Sequence, residues 1–135
     1  MGLVHEVLIV DDHEMARDAL VGMVEHAGYP AVAFANPAGA LARIAEQPPA
    51  LILLDMMMPE IDGADFLRRL HEIRGGAALP VIIVSAIGHL LQGMRRSEVR
   101  SAGVAAVLSK PVTYAALIEA IGRIIGPPDG PAREG

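Results

Sequence analysis

The chain has 135 residues, 53% of them apolar and 20% charged, which is typical of one folded domain and excludes an intrinsically disordered chain. Its formal net charge of −5 argues against a general nucleic-acid-binding protein, and no apolar stretch approaches the roughly 18 residues of a membrane span. Because the chain has no cysteine, disulfides, a thiolate nucleophile and the usual structural zinc sites are excluded, which is compatible with a location in the cytoplasm.

Short apolar runs alternate with longer segments of helical periodicity, as in a parallel sheet that is covered by helices on both faces. Strands are predicted at residues 7–10, 31–34, 51–54, 81–84 and 104–108. Helices are predicted at residues 16–27, at 37–47, from 62 or 63 to 75, and at 114–125. Asn36 is predicted to cap the second of these helices and Thr113 the last. In the segment 87–102 the apolar residues recur poorly at helical spacing, so no secondary structure is predicted there. Residues 1–126 are therefore interpreted as one domain and residues 127–135 as a short flexible tail.

Polar residues stand where the predicted strands end. Asp11 and Asp12 follow the first strand, Asp55 follows the third, Ser85 follows the fourth, and Lys110 comes just after the fifth. The carboxyl ends of parallel strands meet at one edge of an open sheet, where ligands bind. The pattern therefore predicts that three carboxylates, a hydroxyl and an ammonium group meet in one crevice.

These groups suit a divalent cation and a phosphoryl group. Two adjacent carboxylates in a cleft repel each other unless a cation binds between them, and oxygen ligands without histidine or cysteine favour Mg²⁺. A carboxylate such as Asp55 can also attack phosphorus and form an aspartyl-phosphate. Each residue taken alone is explained as well by a helix cap, a turn or a solvated lysine. Because such residues stand at four strand ends at once, a common site for a cation and a phosphoryl group is favoured over these separate explanations.

The same residues resemble the receiver domain of two-component response regulators. The resemblance lies in Val10-Asp11-Asp12, in Asp55-Met56-Met57-Met58-Pro59-Glu60-Ile61-Asp62-Gly63, in Ser85-Ala86 and in Lys110-Pro111. It extends from residue 6 to about residue 125. It implies an α/β fold: a doubly wound, five-stranded parallel sheet in the flavodoxin-like order 2-1-3-4-5, with helices on both faces.

The resemblance also implies which residues act in the site. Asp55 would be the phosphoacceptor, and Asp12 and Asp55 would bind Mg²⁺ directly. The backbone carbonyl of Met57 would be a further ligand, and Asp11 would act largely through water. The Lys110 ammonium would pair with the phosphoryl group.

Two more residues of the site follow from the resemblance. Ser85 would move to donate a hydrogen bond to the phosphoryl group, and Pro111 would follow a cis peptide bond that directs Lys110 inward. The sequence departs from the family at Val107, where the family usually has an aromatic residue that switches rotamer. The residues that flank the phosphoryl group, Met57 and Ile87, are apolar. We expect all three to tune the switch and the lifetime of the phosphorylated state.

The function that the resemblance implies is a phosphorylation-dependent signalling module. A sensor histidine kinase or a histidine phosphotransfer protein would supply the phosphoryl group, and output would pass to a downstream protein partner or a homodimer, without DNA or membrane binding. The chain would not be an enzyme beyond its own Mg²⁺-dependent phosphorylation and slow dephosphorylation. Two alternatives are a degenerate receiver that binds or dimerises constitutively and a phosphohydrolase. The second is disfavoured because no substrate-binding insertion or second acid–base residue is found.

Overall fold

Five parallel strands form the central sheet of this computed structural model, which describes residues 5–55, 63–85 and 103–128. The strands are β1 (Val7–Val10), β2 (Ala31–Phe34), β3 (Leu51–Asp55), β4 (Val81–Ser85) and β5 (Val104–Ser109). Their spatial order is β2-β1-β3-β4-β5, and every neighbouring pair is parallel. The predicted fold class and strand order are confirmed.

Four helices lie in the described part of the chain. They are α1 (Glu14–His26), α2 (Pro37–Glu46), α3 (Gly63–His71) and α4 (Tyr114–Ile125). Two predicted caps are confirmed, since the Asn36 side chain accepts from the Gly39 amide and the Thr113 side chain accepts from the Ala116 amide. None of these helices has the length and apolarity that a membrane crossing requires. The segment 87–102 lies outside the described residues.

The core has two layers, one on each face of the sheet. Alternate strand residues point to opposite faces, so each strand contributes to both layers. One face packs against α2 and α3 and buries Leu8, Val10, Ile52, Leu54 and Ile83. The other packs against α1 and α4 and buries Val7, Ile9, Leu51, Leu53 and Ile82. The core therefore consists mainly of aliphatic side chains, because the chain has few aromatic residues.

Helix α3 is shorter than the sequence predicts, because it ends at His71 rather than near residue 75. A 3₁₀ turn at Gly76–Ala78 follows it. A Cβ atom at position 76 would lie only 2.1 Å from the Leu70 carbonyl oxygen, so the chain can fold back here only with glycine. Gly75, at φ 79°, provides the left-handed residue that this reversal needs.

Candidate functional site

The register of the two central strands brings two of the predicted acids together. Val10 of β1 pairs with Leu54 of β3, so the next residues, Asp11 and Asp55, lie at the same level at the carboxyl edge of the sheet. Both are buried, with exposed fractions of 0% and 4%, whereas Asp12 is exposed. One carboxylate oxygen from each of the three lies within 4.8 Å of the others. The predicted cluster of three carboxylates is present.

Lys110 reaches this cluster from the end of β5. Its Nζ lies 3.6 Å from Asp55 Oδ2, and about a third of its side chain is exposed. The Lys110–Pro111 peptide bond is cis, as the family resemblance implies. Ser85 ends β4 and pairs with Ser109 of β5, which places its backbone at the same edge of the sheet.

Three further residues, Val107, Met57 and Ile87, were predicted to tune the site. Val107 lies in β5, where it pairs with Ile83 and has an exposed fraction of 43%. Met57 and Ile87 fall outside the described residues, so their predicted roles stay predictions. The side chain of Ser85 is not described either.

The burial of Asp11 disfavours the charged form of its carboxylate. Burial raises its pKa above the ordinary value, because a charged carboxylate loses hydration there. The His13 amide donates to Asp11 Oδ1 across 2.9 Å and opposes this rise. The charge of the neighbouring Asp55 carboxylate raises the pKa further, while the charge of Lys110 lowers it. The Asp11 carboxylate is therefore stabilised best when a cation is near.

The donor set fits a hard divalent cation. Asp11 Oδ2 is fully buried and, among the described residues, has no hydrogen-bond partner. Buried acceptors are rarely left in that state, so such an atom needs a ligand or a proton. The carboxylates of Asp11, Asp12 and Asp55 are the hard oxygen ligands that Mg²⁺ prefers, and few protein ligands suffice because this ion keeps several waters.

The short loop between β1 and α1 contains two contacts that the sequence did not predict. His13 caps α1, since its Nδ1 accepts from the Ala16 amide across 3.3 Å. Arg17 Nη1 donates to the backbone carbonyl of Asp11 across 3.0 Å. Histidine is not among the preferred N-cap residues, and a bond to a carbonyl leaves no pattern in the sequence. The sequence therefore contains no pattern from which either contact could be predicted.

An apolar groove borders the acids on the α1 side. Its cavity volume is about 440 Å³. Its walls come from one face of α1, the end of β4 and the segment after β5. The lining residues are Asp11, Ala16, Ala19, Leu20, Met23, Val84, Lys110, Pro111 and Val112. The groove therefore leads from an apolar surface to the charged groups of the site.

Comparisons with known proteins agree with this arrangement. The family model of the response regulator receiver domain matches residues 7–122. The polar-differentiation response regulator DivK of Brucella anthropi is 31% identical over 120 residues, an alignment that covers 89% of this chain and 95% of the relative.

Solved structures with the same fold include two of similar length. The receiver domain of the sensor histidine kinase PA1611 from Pseudomonas aeruginosa, solved with a magnesium ion coordinated in its active-site cleft, has a TM-score of 0.78 at 28% identity and covers 93% of this chain and 99% of that one. A CheY-like response regulator receiver domain protein from Methanospirillum hungatei has a TM-score of 0.78 at 27% identity, and the coverage is 98% and 99%. Both are similar to this chain over nearly its whole length.

Proposed function

Because the chain belongs to the response regulator receiver domain family, we propose that it is a signalling module that a sensor histidine kinase or a histidine phosphotransfer protein phosphorylates on Asp55. The observation that carries this proposal is the position of the Asp55 carboxylate. It is buried between two other carboxylates and a lysine, at the carboxyl end of a central strand. The Lys110 ammonium lies 3.6 Å from Asp55 Oδ2.

The transfer needs a nucleophile, a leaving group and charge stabilisation. A carboxylate oxygen of Asp55 attacks the phosphorus of a phosphohistidine, the N–P bond breaks, and the bonding electron pair leaves with the imidazole nitrogen. The product is an acyl phosphate on Asp55. The Lys110 ammonium pairs with a phosphoryl oxygen and stabilises the charge that these oxygens carry in the transition state.

Asp11, Asp12 and Asp55 would hold Mg²⁺, together with the backbone carbonyl of Met57. When bound, this ion would neutralise the charge of the three carboxylates and of the phosphoryl oxygens. The cation would also stabilise the charged form of Asp11, whose pKa burial raises. By the family resemblance, Asp11 would act largely through water.

The groove beside the acids would admit the donor. Its walls on α1 are apolar, and Met15, in the first turn of the same helix, has an exposed fraction of 77%. An exposed apolar surface next to a reactive group is typical of a site where another protein binds. We propose that the histidine donor reaches Asp55 from this side.

Further properties of the module follow from this proposal. The chain would work in the cytoplasm, and it would be phosphorylated by another protein rather than act as an enzyme on a separate substrate. Output would pass through contact with a downstream protein, or through a homodimer, and not through direct DNA binding. These properties depend on the same event, the phosphorylation of Asp55.

Phosphorylation by a small acyl phosphate in the presence of Mg²⁺ tests the proposal. The intact mass of the wild type should rise by one phosphoryl group, and hydroxylamine should remove it. Asp55→Asn should abolish the rise, while Asp18→Asn, an exposed acid on α1, should behave as the wild type. Undiminished phosphorylation of the Asp55→Asn variant would overturn the assignment.

A further inference from the structure

Arg17 connects the first turn of α1 to the loop that carries two of the acids. Its half-buried side chain turns back along the helix, and Nη1 donates to the backbone carbonyl of Asp11 across 3.0 Å. That carbonyl belongs to the planar peptide group through which Asp12 is attached. A hydrogen bond to this oxygen therefore restricts the orientation of the Asp12 backbone.

Asp12 depends on such a restraint more than the other two acids do. Asp11 and Asp55 are buried, so the surrounding atoms limit their side chains. Asp12 is exposed, and yet one of its carboxylate oxygens lies within 4.8 Å of oxygens of both other acids. Three carboxylates this close repel one another, so whether the exposed Asp12 carboxylate can reach the other two depends on where its backbone places the side chain.

We propose that Arg17 is a positioning residue of the metal site, which holds Asp12 where its carboxylate can bind Mg²⁺ together with Asp11 and Asp55. The inference rests on the proposed function, since it concerns the same cation. Groups that orient metal ligands without touching the metal typically change metal affinity by about 10- to 100-fold. Arginine is suited to this task because its guanidinium has a rigid, planar set of donors.

The charge of Arg17 has the opposite effect on Mg²⁺. A guanidinium near the site repels a divalent cation, so the loss of this charge alone would strengthen Mg²⁺ binding. The loss of positioning would weaken it. A weaker affinity in the variant therefore shows that positioning outweighs the charge effect, and salt, which screens only the charge effect, separates the two contributions.

A titration with Mg²⁺, monitored through the amide chemical shifts of the β1–α1 loop, measures whether the affinity for Mg²⁺ rises or falls. The Kd of Arg17→Ala should be about tenfold higher than that of the wild type. Arg17→Lys, which keeps the charge and a single donor group, should lie between the two. Arg123→Ala removes an exposed arginine from α4 and serves as the matched control, with a Kd close to the wild-type value.

Salt concentration and thermal stability complete the test. The weaker binding of Arg17→Ala should persist at about 1 M salt, because salt screens charge effects but leaves geometry unchanged. In EDTA, Arg17→Ala and Arg123→Ala should unfold at similar temperatures, whereas a purely structural role would lower this temperature without changing the Kd. Equal or tighter Mg²⁺ binding by Arg17→Ala would overturn the inference and leave the proposed function intact. Failure of the wild type to bind Mg²⁺ would overturn both.

Discussion

The Asp11 carboxylate, which the proposed metal site needs, lowers the stability of the fold. Its carboxylate is fully buried, and its Oδ2 has no hydrogen-bond partner among the described residues. An unsatisfied buried polar group costs on the order of 1–3 kcal/mol. Asp11→Asn removes the buried charge and its repulsion with Asp55, so without Mg²⁺ it should raise the free energy of unfolding by about 1–3 kcal/mol near neutral pH. Added Mg²⁺ should narrow or reverse the difference, because a ligand that binds only the folded chain stabilises it.

The pH dependence of this difference follows from the raised pKa of Asp11. The folded chain holds the Asp11 proton more tightly than the unfolded chain, whose carboxyl has the ordinary value of 3.8. As pH rises from 3.8 through the raised folded pKa, the wild type loses stability that Asp11→Asn keeps. Urea unfolding in EDTA at acid and neutral pH measures this, and the advantage of the variant should be small at acid pH. A variant less stable than the wild type at neutral pH in EDTA would contradict the account.

The lifetime of the phosphorylated state is a prediction about two residues outside the described part of the chain. By resemblance, Met57 and Ile87 flank the phosphoryl group, and neither side chain can orient a water molecule by hydrogen bonding. The double variant Met57→Asn, Ile87→Glu should lose its phosphoryl group about tenfold faster or more, since a polar residue there can position the attacking water. The decay of the phosphorylated mass after removal of the donor measures this rate. Met15→Asn is the control, and an unchanged decay in the double variant would leave the hypothesis without support.

At the scale of elements, an ion pair connects the start of β1 to α2. Arg43 Nη2 donates to both carboxylate oxygens of Glu6, across 2.7 and 2.8 Å, and Glu6 is nearly buried. The Glu6 carbonyl also accepts from the amides of Ala50 and Leu51, so this residue joins three elements. Arg43→Met should cost about 3 kcal/mol of unfolding free energy, because a buried carboxylate would be left without its partner.

A double variant separates the lost pair from a general loss of packing. Glu6→Gln combined with Arg43→Met removes both charges and should restore part of the stability lost in Arg43→Met alone. Arg123→Met, on an exposed face of α4, should unfold as the wild type does in urea. A wild-type unfolding free energy for Arg43→Met in urea would contradict this prediction.

The elements themselves were predictable because their signals are local. Apolar runs of four or five residues identified all five strands, and Asn36 and Thr113 identified two helix starts. The His13 cap, the bond from Arg17 and the pair of Glu6 with Arg43 were not predicted. Each is a contact of one particular side chain, and the last joins residues 37 positions apart, so no periodicity or composition signals it.

At the scale of the whole molecule, topology gathers the site from distant parts of the chain. Residues 11, 12, 55 and 110 come from three different strand ends, and the parallel arrangement brings those ends to one edge of the sheet. This is why the site could be predicted from strand-terminal residues before any contact was known. His13 and Arg17 lie beside the acids in space, but their contacts follow no rule of position along a strand.

The central claim is that Asp55, and neither of its two acidic neighbours, carries the phosphoryl group. Reduction of the phosphorylated chain with borohydride converts an aspartyl-phosphate to homoserine, and peptide mass spectrometry then locates the change. After treatment with a small acyl phosphate and Mg²⁺, we expect homoserine at position 55 alone, with Asp11 and Asp12 unchanged. Homoserine at position 11 or 12, or at none of the three, would contradict the account.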